Sequence, residues 1–359
     1  MDTKTDRIQI RLARRSPAYW RVTFDNPPLN VMGPETVRQF QTLIGEIESD
    51  KDVRVVVFDS AVDGFFLNHS DFTARLEELT SMPPGPTGLA PWPDFLVRLT
   101  RVPVASIALI RGRATGNGSE IALACDMAFA SREKAILSQW EVGVGMVAGG
   151  GPMAKLPQLI GRNRAMEVLL GSDDIRGEQA EAYGYVNRAL PDGELDDYVE
   201  ALATRISRFD KWAIGQTKRL VNSSLPPDVE LGAGWEACIA SLRRPAAQEG
   251  ISALTAHGFQ SPGDVENRPV ERALVGEGDA VLREERVHGD VGAARLEDPQ
   301  HGHDHLDAAL HADPDGHLGP HAAPAQPPGQ PVCPAVQLAV AHRPSQEAER
   351  RRVRRAAGL

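Results

Sequence analysis

The chain has 359 residues, of which 42% are hydrophobic and 25% charged, and its formal net charge is −10 at pH 7. That length allows a sizeable core and roughly one to three domains. The acidic balance argues against nucleic acid as the main partner, because phosphate binding favours a basic face, although a local patch on an acidic protein can still hold phosphate groups.

In chain order, residues 7–12 and 18–24 read as an opening hairpin. Pro34 supplies a first-turn proline for a helix in which Val37, Phe40, Leu43, Ile44 and Ile47 recur at helical spacing. The runs 53–58 and 104–110 are short, apolar and largely β-branched, which predicts buried strands. Pro83-Pro84-Gly85-Pro86 marks a loop before the Trp92 region. Gly116 to Asp126 reads as a turn opening directly into a helix. After Gly193 the signals are helical almost throughout, over 195–209, 212–221, 231–242 and 246–256. Strands alternating with helices, followed by a helical end, predict an α/β fold.

Three cysteines, Cys125, Cys238 and Cys333, form neither a CxxC pair nor an even disulfide set, which fits a reducing compartment. The first residues are charged and lack the apolar region of a signal peptide, and no stretch approaches the ~20 apolar residues of a membrane helix. The expected location is the cytoplasm, with no membrane partner.

Two glutamates stand beside glycine-rich stretches. Glu120 follows Gly116-Asn117-Gly118-Ser119, and Glu141 lies in Ser138-Gln139-Trp140-Glu141-Val142-Gly143. The leading N–H groups of a helix lack intrahelical partners and can face an anion, which is raw material for an oxyanion hole. Two neighbouring carboxylates can hold one water, one accepting a proton while the other donates one. Such a set suits addition, elimination or proton shift beside a polarised carbonyl. The helix dipole favours an acid in a first turn in any protein, so the pair is the signal and neither residue alone. Gly143-Val144-Gly145-Met146-Val147-Ala148 loosely matches a dinucleotide fingerprint, but glycine follows where a helix should begin and no acid stands at the ribose spacing.

Asn26-Pro27-Pro28-Leu29-Asn30-Val31 is followed by Val53 to Ser60 with Phe65-Phe66-Leu67-Asn68-His69-Ser70-Asp71, then by Val102 to Gly112 leading into the Gly116 turn. In this order the segments resemble the crotonase superfamily, the enoyl-CoA hydratase/isomerase fold, over roughly residues 7–265. Leu156-Pro157-Gln158-Leu159-Ile160-Gly161, Gly177-Glu178-Gln179-Ala180 and Tyr183-Gly184-Tyr185-Val186-Asn187-Arg188 continue the pattern. The resemblance implies a spiral of ββα turns over 1–192 carrying the active site. A helical C-terminal region over 193–265 would build a homotrimer or a dimer of trimers.

It also implies an acyl-CoA thioester substrate, with coenzyme A as part of the substrate and no separate cofactor or metal. The backbone N–H groups of Ser70 and Asn117 fall on the oxyanion donors, and Glu120 and Glu141 on the catalytic glutamates of the hydratases. His69, Asp71, Gly116, Trp140 and Gly149 fall on the acyl pocket. The chain departs from the family there: Asn68-His69-Ser70-Asp71 replaces Ala-Gly-Ala-Asp, Trp140 stands where proline is common, and Ala148 with Pro152-Met153 alters the loop that carries Gly149. Hydration of a 2-enoyl-CoA is the leading reading. Isomerisation, thioester hydrolysis, decarboxylation or retro-Claisen cleavage, and non-catalytic acyl-CoA binding, stay open.

Residues 266–359 contain no Lys, Phe, Tyr, Trp, Ile, Met or Thr. So few large apolar residues cannot offset ordering entropy, so disorder is expected there. The missing types mostly have AT-rich codons, the pattern of a GC-rich gene read in a shifted frame or of a poorly constrained extension. His301-Gly302-His303-Asp304-His305 and the arginines of 350–355 are expected to be solvated, not a site.

Overall fold

A parallel ladder flanked by one hairpin organises the computed structural model. β1 (Ile10–Ser16) pairs antiparallel with β2 (Tyr19–Phe24). α1 (Pro34–Ser49) follows, opened by the first-turn proline, and buries Val37, Phe40, Leu43, Ile44 and Ile47 along one face. β3 (Val55–Ser60) lies parallel to β2 with Tyr19 opposite Val55. The short α2 (Leu76–Thr80) and the longer α3 (Pro91–Arg101) lead to β4 (Ala105–Ile110), parallel to β3. β5 (Arg113–Thr115), α4 (Asn117–Ala124), β6 (Met127–Ser131) and β7 (Ile136–Ser138) come next, and a 3₁₀ turn spans Glu141–Val144. Then follow α5 (Pro152–Ile160), α6 (Arg162–Gly171), β8 (Ile175–Arg176), α7 (Gly177–Tyr183) and β9 (Arg188–Leu190). Four helices end the described chain: α8 (Asp192–Ile206), α9 (Lys211–Val221), α10 (Asp228–Leu242) and α11 (Pro245–Ala256).

The structure describes residues 7–261, all within one unit. The stretch 266–359, expected to be disordered, lies outside the described residues.

The main sheet has the order β1-β2-β3-β4-β6-β9, and a smaller one has the order β5-β7-β8. Central strands are buried on both faces, as the largely apolar sequences of β3 and β4 require. Val56, Phe58, Ala108 and Ile110 face a core shared with α1 and α3. Val55, Val57, Ala105, Ile107 and Leu109 face Leu195, Val199, Ala203 and Ile206 of α8. The mixed α/β architecture and helical C-terminal region agree with the sequence. The expected boundaries shift: the hairpin begins at Ile10, and α8 begins at Asp192 and stops at Ile206. The Trp92 region, left without an element by the sequence, is α3.

The small sheet positions the candidate site. β5 and β7 run parallel with Thr115 opposite Ser138, and the Gly116 N–H donates to the Ser138 carbonyl at 3.0 Å. The first residue past β5 therefore lies beside the segment that ends at Glu141. Gly116 has φ +52°, a conformation that favours glycine, and turns the chain directly into α4. A Cβ at Gly118 would overlap the Leu67 carbonyl, so α4 begins in contact with the loop that carries His69 and Ser70. That loop is tied down by the Asn68 N–H to the Asn30 carbonyl (3.0 Å) and by the Met32–Ser70 bridge.

Candidate active site

Ser70 and Asn117 come together. The Ser70 hydroxyl donates to Asn117 Oδ1 at 2.8 Å, which sets the loop after β3 against the first residue of α4. Asn117 Nδ2 in turn donates to Glu120 Oε2 at 3.0 Å. Asn117 is the first residue of its helix, so its N–H has no intrahelical acceptor. Among the described residues neither the Ser70 nor the Asn117 N–H has a hydrogen-bond acceptor.

Glu120 is 2% exposed and both of its oxygens are held. Oε2 accepts from Trp92 Nε1 at 2.6 Å as well as from Asn117, and Oε1 accepts from the Gly150 N–H. Burial raises its pKa, and these donors work against that rise by stabilising the charged form. Glu141 is 7% exposed, and its Oε2 is buried without a hydrogen-bond partner among the described residues. Burial, and then the charge of Glu120, push it up to about 8. One carboxyl is therefore solvated by fixed protein dipoles and the other is left to hold a proton at neutral pH.

Gly116 joins the remaining parts. A Cβ built there would stand 3.2 Å from Glu141 Oε1, 3.4 Å from Trp140 Nε1 and 3.5 Å from the His69 Cβ. Glutamate, indole and histidine thus converge over the turn that opens α4. The His69 ring is buried, stacks on Phe259 at 4.2 Å between centroids, and donates from Nδ1 to the Ser70 carbonyl at 2.8 Å. Trp140 meets His69, Phe72 and Phe259 edge-on. Its Nε1 is buried and has no acceptor among the described residues.

Asp71 lies at the edge of this group. Its Oδ1 accepts from the Thr73 N–H (2.9 Å), the Thr73 hydroxyl (2.6 Å) and Gln260 Nε2 (2.8 Å). Burial would raise its carboxyl, and these bonds, with one from the Ala74 N–H, bring it below the usual range. Gln260 Oε1 also accepts from the Phe72 N–H at 2.7 Å, so one amide after α11 grips the loop twice. Gly149 packs against α10, where a Cβ would come within 3.1 Å of Trp235 and Cys238.

Two residues that hold Glu120 were not singled out by the sequence: Trp92 on α3 and Gly150. Gly150 was within reach as the next glycine of the 149–151 run; nothing local marks Trp92, because its partner lies 28 residues away. Among the described residues no group of three or more His, Cys, Asp or Glu side chains is placed to hold a metal, and no helix is long and apolar enough to cross a membrane.

Residues 15–240 match the family model described as enoyl-CoA hydratase/isomerase. The chain is 28% identical over 216 residues to the short-chain-enoyl-CoA hydratase of Clostridium acetobutylicum, covering 60% of this chain and 82% of that protein. It is 28% identical over 219 residues to the crotonyl-CoA hydratase of Syntrophomonas wolfei, covering 60% and 83%. A solved structure of a candidate enoyl-CoA hydratase from Streptomyces avermitilis superposes with a TM-score of 0.71 at 39% identity, over 74% of this chain and 96% of that one.

Proposed function

The chain belongs to the enoyl-CoA hydratase/isomerase family, and from that premise we propose that it hydrates a 2-enoyl-CoA thioester. The observation that carries the reading is the contrast between the two buried carboxyls. Glu120 has both oxygens met by donors, while Glu141 keeps one oxygen unpartnered among the described residues and an elevated pKa of about 8.

The roles follow from that contrast. The Glu120 carboxylate takes a proton from water as the water oxygen bonds to the β-carbon. The protonated Glu141 delivers a proton to the α-carbon. Charge that builds on the thioester oxygen between these events meets the Ser70 and Asn117 N–H groups. Each such donor lowers a barrier by roughly 3 to 4 kcal/mol where it has been removed in other enzymes. Transfer of one proton from Glu120 to Glu141 then restores the starting state. His69, Trp140, Gly116 and Gly149 border the acyl chain, and Asp71 keeps the loop before them in shape. Coenzyme A enters as part of the substrate, and the scheme uses no further cofactor. The reading includes a cytoplasmic enzyme and a homotrimer or dimer of trimers; α9 supports subunit contact by leaving Trp212, Leu220 and Val221 exposed.

The test is a panel of 2-enoyl-, 3-enoyl- and 3-oxoacyl-CoA thioesters, followed by enoyl absorbance and by free CoA. Loss of 2-enoyl absorbance without CoA release is the expected outcome. CoA release would select thioester hydrolysis, and turnover of only the 3-enoyl thioester would select isomerisation. No turnover of any would leave acyl-CoA binding alone.

A further inference from the structure

We infer that Trp92 is a positioning residue for the proposed base: its indole N–H, at the start of α3, fixes the orientation of the Glu120 carboxylate against the water it is to activate. This rests on the hydratase reading above.

Trp92 Nε1 donates to Glu120 Oε2 at 2.6 Å, and both side chains are almost wholly buried. Asn117 Nδ2 approaches the same oxygen from α4, and the Gly150 N–H holds the other. The carboxyl is therefore met from three elements, α3, α4 and the segment before α5, and cannot rotate without losing one of these hydrogen bonds. α3 brings the indole there because Pro91 and Pro93 set its first turn, and the ring is stacked on Phe95 (5.7 Å) and tilted against Phe40 (5.5 Å).

A bland reading is that Trp92 only fills the core. Trp20 argues against packing as the reason for the hydrogen bond, since its indole Nε1 is equally buried and has no partner among the described residues. The fold accommodates an indole in its core without an acceptor. The one aimed at Glu120 meets a carboxyl oxygen.

The bond also acts on charge. Hydrogen bonding by Trp92 lowers the Glu120 pKa against the larger upward push of burial. The other titratable groups around that carboxylate are Glu141 on the 3₁₀ turn, Lys155 on α5, Tyr185 after α7 and Cys238 on α10. All remain in Trp92→Phe, which removes the N–H and keeps an aromatic ring. The expected result is a fall in kcat of about 10- to 100-fold with KM within about twofold. The acid limb of kcat/KM should move to higher pH, because the base loses a donor to its ionised form.

An independent readout is the titration of Glu120 in the unliganded protein, followed by carbon NMR of labelled glutamate side chains. Its midpoint should rise in Trp92→Phe. An unchanged midpoint, or an unchanged kcat and acid limb in an active enzyme, overturns the proposal. Absence of hydration by the wild-type protein would overturn the hydratase reading instead and leave the NMR result to decide this one. Should Trp92→Phe not fold, benzothienylalanine placed at position 92 keeps the bicyclic shape without the N–H and is subject to the same criteria.

Discussion

The carboxylate of Glu120 occupies the space that any side chain at Gly150 would need. A Cβ built at Gly150 overlaps the carboxylate, while the Gly150 N–H donates to Oε1. The missing side chain and the hydrogen bond are two aspects of one close approach. Gly150→Ala must therefore push Glu120 out of its three-way clamp or move the loop before α5. The expected outcome is loss of most turnover, about 100-fold or more, with destabilisation of about 1 to 3 kcal/mol typical of overpacking. Denaturant unfolding and steady-state kinetics on the same preparation check both. Full activity in the alanine variant would show that Glu120 does not work from this position.

Glu120→Gln and Glu141→Gln keep side-chain size and remove proton transfer. Each is expected to lower kcat by roughly 10² to 10⁴ while acyl-CoA affinity changes little. The measurement is kcat beside the Kd for a non-reactive saturated acyl-CoA. If only one of the two variants loses activity, a single-base isomerase replaces the two-carboxyl scheme.

Stability should depend on pH through Glu141. Its carboxyl is raised from 4.5 to about 8 in the folded protein, so between these values the native state holds a proton that the unfolded chain has released. Stability then falls as pH rises through that window, because the native state binds more protons than the unfolded state. Glu120 is shifted in the same direction, so the comparison needs a variant that removes Glu141 alone. The melting temperature of the wild type should drop relative to Glu141→Gln between pH 5 and about 8.5, by about 2 to 4 °C for each kcal/mol. Parallel curves for the two proteins would place Glu141 in water.

The indole N–H of Trp140 is buried beside Glu141 with no acceptor among the described residues. A substrate with an oxygen on its acyl chain would supply one. We expect higher kcat/KM for such an enoyl-CoA than for crotonyl-CoA, and a shift back toward crotonyl-CoA in Trp140→Phe. His69→Gly should shift preference the same way by opening the wall that His69 forms with Phe259. A ratio of kcat/KM values unchanged in both variants would assign these rings to packing.

Much of this was legible because it is periodic or local. α1 announced itself through Pro34 and the spacing of Val37, Phe40, Leu43 and Ile47, and β3 through an unbroken apolar run. α8 begins three residues before its first core leucine because Asp192 and Glu194 suit the positive end of the helix dipole, a signal that hydrophobic spacing does not contain. α3 follows directly on the loop signal of 83–86 and opens with Pro91 and Pro93, which are at home in a first turn but add no helical spacing of their own. β5, β7 and β8 hold only three, three and two residues, too few for a pattern of period two. The carboxyls themselves stood out by their glycine neighbours. What holds them did not, because Trp92 and Gly150 lie 28 and 30 residues from Glu120 in sequence.

The ladder that sets Thr115 opposite Ser138 also limits how this pocket can change over generations. From that rung, five residues reach Glu120 and three reach Glu141, each through a fixed turn. Losing or gaining one residue in either span would rotate an acid away from its partner, whereas exchanging one side chain for another only reshapes the wall. Substrate range can therefore drift by point substitution at His69, Trp140 or Ala148, while the lengths of 116–120 and 138–141 stay locked. A library of single-residue deletions and duplications, selected for turnover, should be depleted in those two windows and permissive at the exposed Ser223 and Ser224 between α9 and α10.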